Sequence, residues 1–208
     1  MQVYLDNAAT TPMDIQVIDK MTEVMHNCFG NASAIHSQGR KAKAVVELAR
    51  KEIAKILNCE GSEIVFTGSG TEADNMAIRC ACNDLNVKHI ITSEIEHKAV
   101  LDTAKELATK GQVDLHFVKL DQYGRADLND LEILTKKHPG ALVSLMHANN
   151  EIGTLNDIRV ISKIARKNNC YFHTDTVQTV GHYPIDLKEM DVDLMTCSAH
   201  KFHGPKGC

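Results

Sequence analysis

The sequence predicts an α/β protein built on a mostly parallel sheet with helices on both faces. Apolar runs of strand length alternate with stretches of helical spacing through most of the 208 residues. Such a β-α-β-α rhythm requires crossover connections, which leave the strands parallel and cover the sheet on both sides. With 43% apolar and 24% charged residues, the chain has ordinary globular composition and is long enough to bury a sizeable core.

Residues 1–14 form an N-terminal arm ahead of one large domain, residues 15–208. Residues 14–27 carry Ile15, Val17, Ile18, Met21, Val24 and Met25 at spacings of three and four, and residues 38–58 carry Ala42, Val45, Val46, Ala49, Ile53, Ile56 and Leu57 in the same way. Both predict amphipathic helices. Strands are predicted at 63–66, 89–92, 113–118, 141–147, 170–174 and 193–197, joined by helices near 71–83, 98–110, 127–137 and 157–168. No linker, repeat or low-complexity tract divides the domain. The closing Gly204-Pro205-Lys206-Gly207-Cys208 is a turn signal of the kind that introduces a further element, so the domain is expected to be incomplete at its C-terminal end.

The 23 basic and 27 acidic residues give a net charge of −4, with no basic block and only five Phe, four Tyr and no Trp. That balance argues against a nucleic-acid partner. No apolar run approaches the ~18 residues of a membrane span, and Met1 to Asp6 lacks the regions of a secretory signal, so neither membrane nor export is expected. Seven cysteines without a C-x-x-C pair fit reduced, buried thiols in the cytoplasm better than a disulfide framework.

Ligands of a parallel sheet belong at the carboxyl ends of its strands, and four candidate groups fall there. Thr67-Gly68-Ser69-Gly70-Thr71-Glu72 opens a helix, where small residues and free N–H groups suit a phosphate. An ordinary capped turn is the alternative. His97 follows the run 89–92 and could stack on a flat cofactor or shuttle protons, whereas a lone histidine is otherwise a capped surface residue. Asp175 follows 170–174 and could hold a protonated ring nitrogen or cap. Lys201 follows 193–197; a lysine drawn from water favours the free amine that attacks an aldehyde, whereas a solvated lysine does nothing. His200 and His203, with His173 and Cys197, raise a metal site, but Gly204-Pro205 breaks the helix that would align them and no metal is expected. Together, phosphate cradle, imidazole, carboxylate and lysine match the donor set for pyridoxal 5′-phosphate.

At this point the chain resembles the N-terminal part of a cysteine desulfurase of the nitrogen-fixation and iron–sulfur-assembly type, within the class V aminotransferase group of fold-type I pyridoxal-phosphate enzymes. The resemblance runs through Tyr4-Leu5-Asp6-Asn7-Ala8-Ala9-Thr10-Thr11-Pro12, Phe29-Gly30-Asn31, the block from Phe66 to Asn75, Glu96-His97-Lys98-Ala99-Val100, Asn149-Asn150-Glu151-Ile152-Gly153, Thr174-Asp175-Thr176-Val177-Gln178, and Ser198 to Gly207. It implies that Lys201 holds the cofactor aldehyde, with Ser198 and His200 reaching the phosphate beside Gly70 and Thr71. It further implies Asp175 at the ring nitrogen, Gln178 at the phenolic oxygen, Asn150 at the same edge, and His97 against the ring in proton transfer. Ala32 replaces the family's usual proline and Ala199 its usual glycine, small changes that leave these assignments intact.

The implied reaction converts L-cysteine to L-alanine and passes sulfur, as an enzyme persulfide, to an iron–sulfur scaffold or other acceptor, usually in a homodimer. Family members run to roughly twice this length, and none of the seven cysteines matches the persulfide motif. The expectation is therefore a truncated or separate piece, inactive alone, whose missing C-terminal part could be a second chain. Alternatives are another class V enzyme, such as a selenocysteine lyase or small-amino-acid aminotransferase, and a non-catalytic cofactor-binding scaffold.

Overall fold

A computed structural model describes residues 1–208. Its strands are β1 (His89–Thr92), β2 (Asp114–Phe117), β3 (Leu142–Ser144), β4 (Tyr171–Asp175) and β5 (Leu194–Thr196). The helices are α1 (Ile15–Asn27), α2 (Ser37–Leu57), α3 (Gly70–Asp84), α4 (Lys98–Thr109), α5 (Leu128–Lys137), α6 (Ile158–Lys167) and α7 (Leu187–Met190). Helix starts fall where the sequence supplies an acceptor for unpaired N–H groups. Asp14, Ser69, Asp127, Asp157 and Asp186 each cap in this way, a contribution of about 1 kcal/mol apiece.

The strands form one parallel sheet in the order β2-β1-β3-β4-β5. Register aligns Ile91 with Val143 and Val143 with Phe172, so these point to one face, and Ile90 and Leu142 point to the other. The first set packs with Leu57 of α2, Leu131 of α5 and Ile158, Ile161 and Ala165 of α6. The second packs with Ile78 and Ala81 of α3 and Val100, Ala104 and Leu107 of α4. Central strands buried on both faces explain why they read as continuous apolar runs. Each fully buried Ile, Leu or Phe contributes on the order of 1.5–3 kcal/mol.

Chain order reverses between β1 and β3. β2 was added on one side of β1 and every later strand on the other. A crevice opens at the carboxyl ends at such a switch point.

Three expectations need correction. Residues 63–66 are not a strand: Gly61–Glu63 is a 3-10 turn, and Ile64 to Phe66 pairs with no neighbour. Val65 and Phe66 are exposed, and the Ile64 carbonyl accepts from the Arg50 guanidinium instead. A strand exists through its partner's ladder, which an apolar run cannot supply for itself. The short α7 was not anticipated. The cysteines are all free, as expected, but only Cys82 and Cys170 are buried, and Cys208 is exposed.

Candidate active site

A cavity of about 650 Å³ opens at the carboxyl ends of the strands. Its lining includes all nine residues singled out above: Gly70, Thr71, His97, Asn150, Asp175, Gln178, Ser198, His200 and Lys201. They arrive from separate elements. Gly70 and Thr71 open α3, His97 caps α4 after β1, Asn150 follows β3, Asp175 ends β4, and Ser198 to Lys201 follow β5 through a 3-10 turn.

At α3, Ser69 accepts from Glu72 N–H at 3.1 Å, while the first-turn N–H groups of Gly70 and Thr71 have no partner within the helix. A Cβ on Gly70 would lie 3.2 Å from Val177 Cγ2 and 3.3 Å from the Ser198 Cβ. The absent side chain is thus what keeps this corner open. His97 stands at the cavity and at the start of α4. Its Nδ1 accepts the Ala99 N–H at 3.1 Å, capping α4, and the ring also lines the cavity. Because Nδ1 is an acceptor there, the neutral ring carries its proton on Nε2.

Asp175 is buried, and its Oδ1 accepts from Val177 N–H at 2.8 Å. Burial, reinforced by the like charge of Asp74, raises its pKa well above the usual carboxylate range. Asp74 is itself buried, with Oδ1 lacking a hydrogen-bond partner and 3.5 Å from His173 Nε2. A third buried carboxyl, Glu96, immediately precedes His97 in sequence but is not among the residues that line the cavity. Its Oε1 accepts from Ser93 Oγ at 2.8 Å and Met146 N–H at 3.1 Å, Oε2 has no partner, and burial pushes its pKa up to about 8. The floor of the cavity therefore favours a positively charged or N–H-bearing group.

Lys201 Nζ donates to the carbonyls of Ala8 and Ala9, the latter at 2.9 Å. Burial lowers its pKa, against the opposing pull of Asp175 and Asp6. Gln178 Nε2 donates to the same Ala8 carbonyl at 3.0 Å. His200 Nδ1 lies 3.0 Å from Thr10 Oγ1, and the His200 carbonyl accepts from Thr11 N–H at 2.9 Å. Ser198 Oγ donates to the Cys208 carbonyl at 3.1 Å, so its hydroxyl is engaged with the chain's own backbone. Asn150 Nδ2 donates to Glu151 Oε1 at 2.6 Å. The histidines weighed for a metal have other partners: buried His173 meets Ser144 Oγ at 2.8 Å, and His203 meets the Pro12 carbonyl at 2.9 Å.

Sequence reasoning missed Asp74, Glu96 and the backbone of residues 6–9. Asp74 was accessible, standing four positions after Gly70 and so on the same face of α3. The carbonyls of Ala8 and Ala9 carry no side-chain signature and could not be read.

Fold and cavity together define a class V aminotransferase: the aminotransferase class-V family model matches residues 3–208, and the chain belongs to that family. Among its relatives it is similar to the cysteine desulfurase IscS of Dictyoglomus turgidum, 47% identical over 208 residues, which cover 99% of this chain and 52% of that protein. In three dimensions it is similar to a NifS-like protein (TM-score 0.95, 40% identity, covering 100% of this chain and 57% of the other). It also matches SspA, solved in complex with cysteine (TM-score 0.93, 35% identity, 99% and 59% coverage). The chain spans about half the length of the curated relatives it matches.

Proposed function

We propose that this chain is the cofactor-binding part of a cysteine desulfurase, which holds pyridoxal 5′-phosphate, removes sulfur from L-cysteine and releases L-alanine. The observation that carries the reading is the meeting, in one cavity, of a bare helix N-terminus, a buried carboxyl and a partly desolvated lysine. The donor set fits the cofactor. Gly70 leaves room at the α3 terminus, and the orphaned Asp74 oxygen and raised Asp175 call for a cationic ring nitrogen nearby.

In this assignment Gly70 and Thr71 hold the phosphate, joined by His200 and by Ser198 once its hydroxyl turns from the Cys208 carbonyl. Asp175 holds the ring-nitrogen proton, Gln178 the phenolic oxygen, and Asn150 the adjoining edge, with His97 against the ring. Bound there, the group supplies an electron sink for negative charge at the substrate α-carbon. Lys201 contributes an amine whose burial favours the unprotonated, nucleophilic form, and the Ala8 and Ala9 carbonyls orient it. The same nitrogen would be a base for the substrate α-proton, and His97, which also lines the cavity, a second proton-carrying group.

No cysteine lines the cavity. The persulfide-forming thiol is accordingly assigned to none of the seven here, and sulfur transfer needs one from further sequence, in the same or a second chain. We extend the reading to a cytoplasmic homodimer that serves an iron–sulfur scaffold or other acceptor. Its support is the outer surface: α1 buries none of its residues and exposes Ile15, Ile18, Met21 and Met25, and β5 is an open sheet edge. The seven free thiols suit a reducing compartment.

The test is product analysis with L-cysteine on the protein that contains this chain. With a dithiol reductant present to release the persulfide sulfur, alanine and sulfide in equal amounts support the desulfurase. A keto acid would make it an aminotransferase, preference for selenocysteine a selenocysteine lyase, and an unchanged cofactor absorption spectrum a non-catalytic scaffold.

A further inference from the structure

A second cluster of chemically capable side chains lies outside the cavity. His89 opens β1, His116 sits in β2, and His138 ends α5. Register pairs His89 with Asp114 and Ile91 with His116, so both histidines stand on the face of the sheet that α5 covers. One ring nitrogen from each of the three lies within 4.8 Å of the others. His89 Nδ1 is 3.3 Å from His116 Nε2 and 3.4 Å from Asp114 Oδ2. His138 stacks on His116 with ring centroids 4.0 Å apart.

Two features go beyond ordinary packing. Tetrahedral zinc with bonds of ~2.0–2.1 Å separates its ligand atoms by ~3.3 Å, which is the spacing of His89 Nδ1 from His116 Nε2 and, within 0.1 Å, from Asp114 Oδ2. His138 Nε2 is enclosed and has no hydrogen-bond partner. Neutral imidazole offers one donor and one acceptor, and an enclosed ring nitrogen satisfied by neither is uncommon.

We propose that His89, His116 and His138, with Asp114 as fourth ligand, bind a borderline divalent cation of the zinc type on the α5 face of β1 and β2. Three imidazoles and one carboxylate are the donors such an ion takes, and they leave it no open position for catalysis. The ion would join the edge strand β2 to β1 and to the end of α5. Its role is structural: none of the four residues lines the cofactor cavity. Asp114, 3.4 Å from His89 Nδ1, stands outside the set of three rings, so its exposed carboxylate must swing toward them to close the shell.

The test titrates chelator-treated protein with Zn²⁺, and with Co²⁺ as a spectroscopic probe of tetrahedral geometry. One equivalent per chain should bind, with a tetrahedral Co²⁺ spectrum and a higher thermal midpoint. Replacing His89→Gln, His116→Gln and His138→Gln together should abolish all three effects while pyridoxal 5′-phosphate binding is unchanged. If that variant does not fold, His116→Gln alone should weaken Zn²⁺ by at least about tenfold. No binding by the unaltered protein, an octahedral Co²⁺ spectrum, or undiminished affinity in the variants would overturn the proposal.

Discussion

Lys201 Nζ donates to the carbonyl oxygen of Ala9 at 2.9 Å, across 192 positions of sequence. The arm is therefore part of the wall of the cavity. Thr11 N–H meets the His200 carbonyl, His203 N–H meets Thr11 Oγ1 at 2.8 Å, and Asp14 N–H meets the His203 carbonyl at 3.0 Å. Those bonds fix the 3-10 turn that carries the lysine, so arm and domain act as one unit at the site even though residues 1–14 contain no helix or strand.

Gly70→Ala tests the phosphate corner. The new Cβ would press on Val177 and Ser198, an overpacking cost of about 1–3 kcal/mol, offset by the ~1 kcal/mol that alanine gains over glycine in a helix. The net loss of stability should be at most about 2 kcal/mol. Affinity for pyridoxal 5′-phosphate should fall about tenfold, or ~1.4 kcal/mol, while affinity for pyridoxal lacking the phosphate stays the same. Equal losses for both ligands in a binding titration would remove the phosphate from this corner.

Asp175→Asn should have opposite effects on the empty and loaded protein. Without cofactor, the variant relieves a carboxyl strained by burial and by Asp74, so its thermal midpoint at neutral pH should rise. With cofactor, it loses a hydrogen bond to a charged group, and the stabilisation conferred by pyridoxal 5′-phosphate should shrink by about 1.5–3 kcal/mol. A variant stabilised as fully as the parent would place the ring nitrogen elsewhere.

Glu96 makes stability depend on pH. Its folded pKa of about 8 lies above the usual glutamate value of about 4.3, so the folded state holds a proton that the unfolded chain releases. The corresponding stability is complete below the unfolded value and is lost as pH rises to about 8, at up to ~1.4 kcal/mol per pH unit. Asp175 shifts in the same direction and adds to the slope. Glu96→Gln keeps the accepting oxygen for Ser93 and Met146. Chemical denaturation of the cofactor-free variant between pH 5 and 8 should show a shallower decline and greater stability at the alkaline end. Parallel curves for the two proteins would mean that Glu96 ionises normally.

His97 combines two roles that substitutions can separate. His97→Ala removes the cap on Ala99 N–H and should cost about 1 kcal/mol of stability. His97→Asn can restore that cap. Both should slow exchange of the substrate α-hydrogen with solvent, by about 10²–10⁴-fold if the ring transfers the proton. Exchange recovered by asparagine would reduce His97 to a cap.

The central strands and long helices were legible because each depends on its own residues. β1 is found where 89–92 was predicted, and α4, α5 and α6 fall within a residue of their predicted ends. The site's positions were legible for a related reason: His97, Asp175 and Lys201 each follow a strand of the parallel sheet, which brings them to one edge, and Gly70 joins them by opening α3 although the run before it is no strand. What depends on tertiary partners was not. Ile64, Val65 and Phe66 have strand composition but no neighbouring ladder, the Ala8 and Ala9 carbonyls leave no mark in sequence, and the histidines at 89, 116 and 138 converge only through the register of β1 with β2.

The most direct measurement is borohydride reduction of the protein loaded with pyridoxal 5′-phosphate, followed by peptide mapping. The cofactor should be found covalently attached to the peptide carrying Lys201, and Lys201→Ala should retain none. Label on another lysine, or undiminished label in that variant, would contradict the assignment on which the functional reading rests.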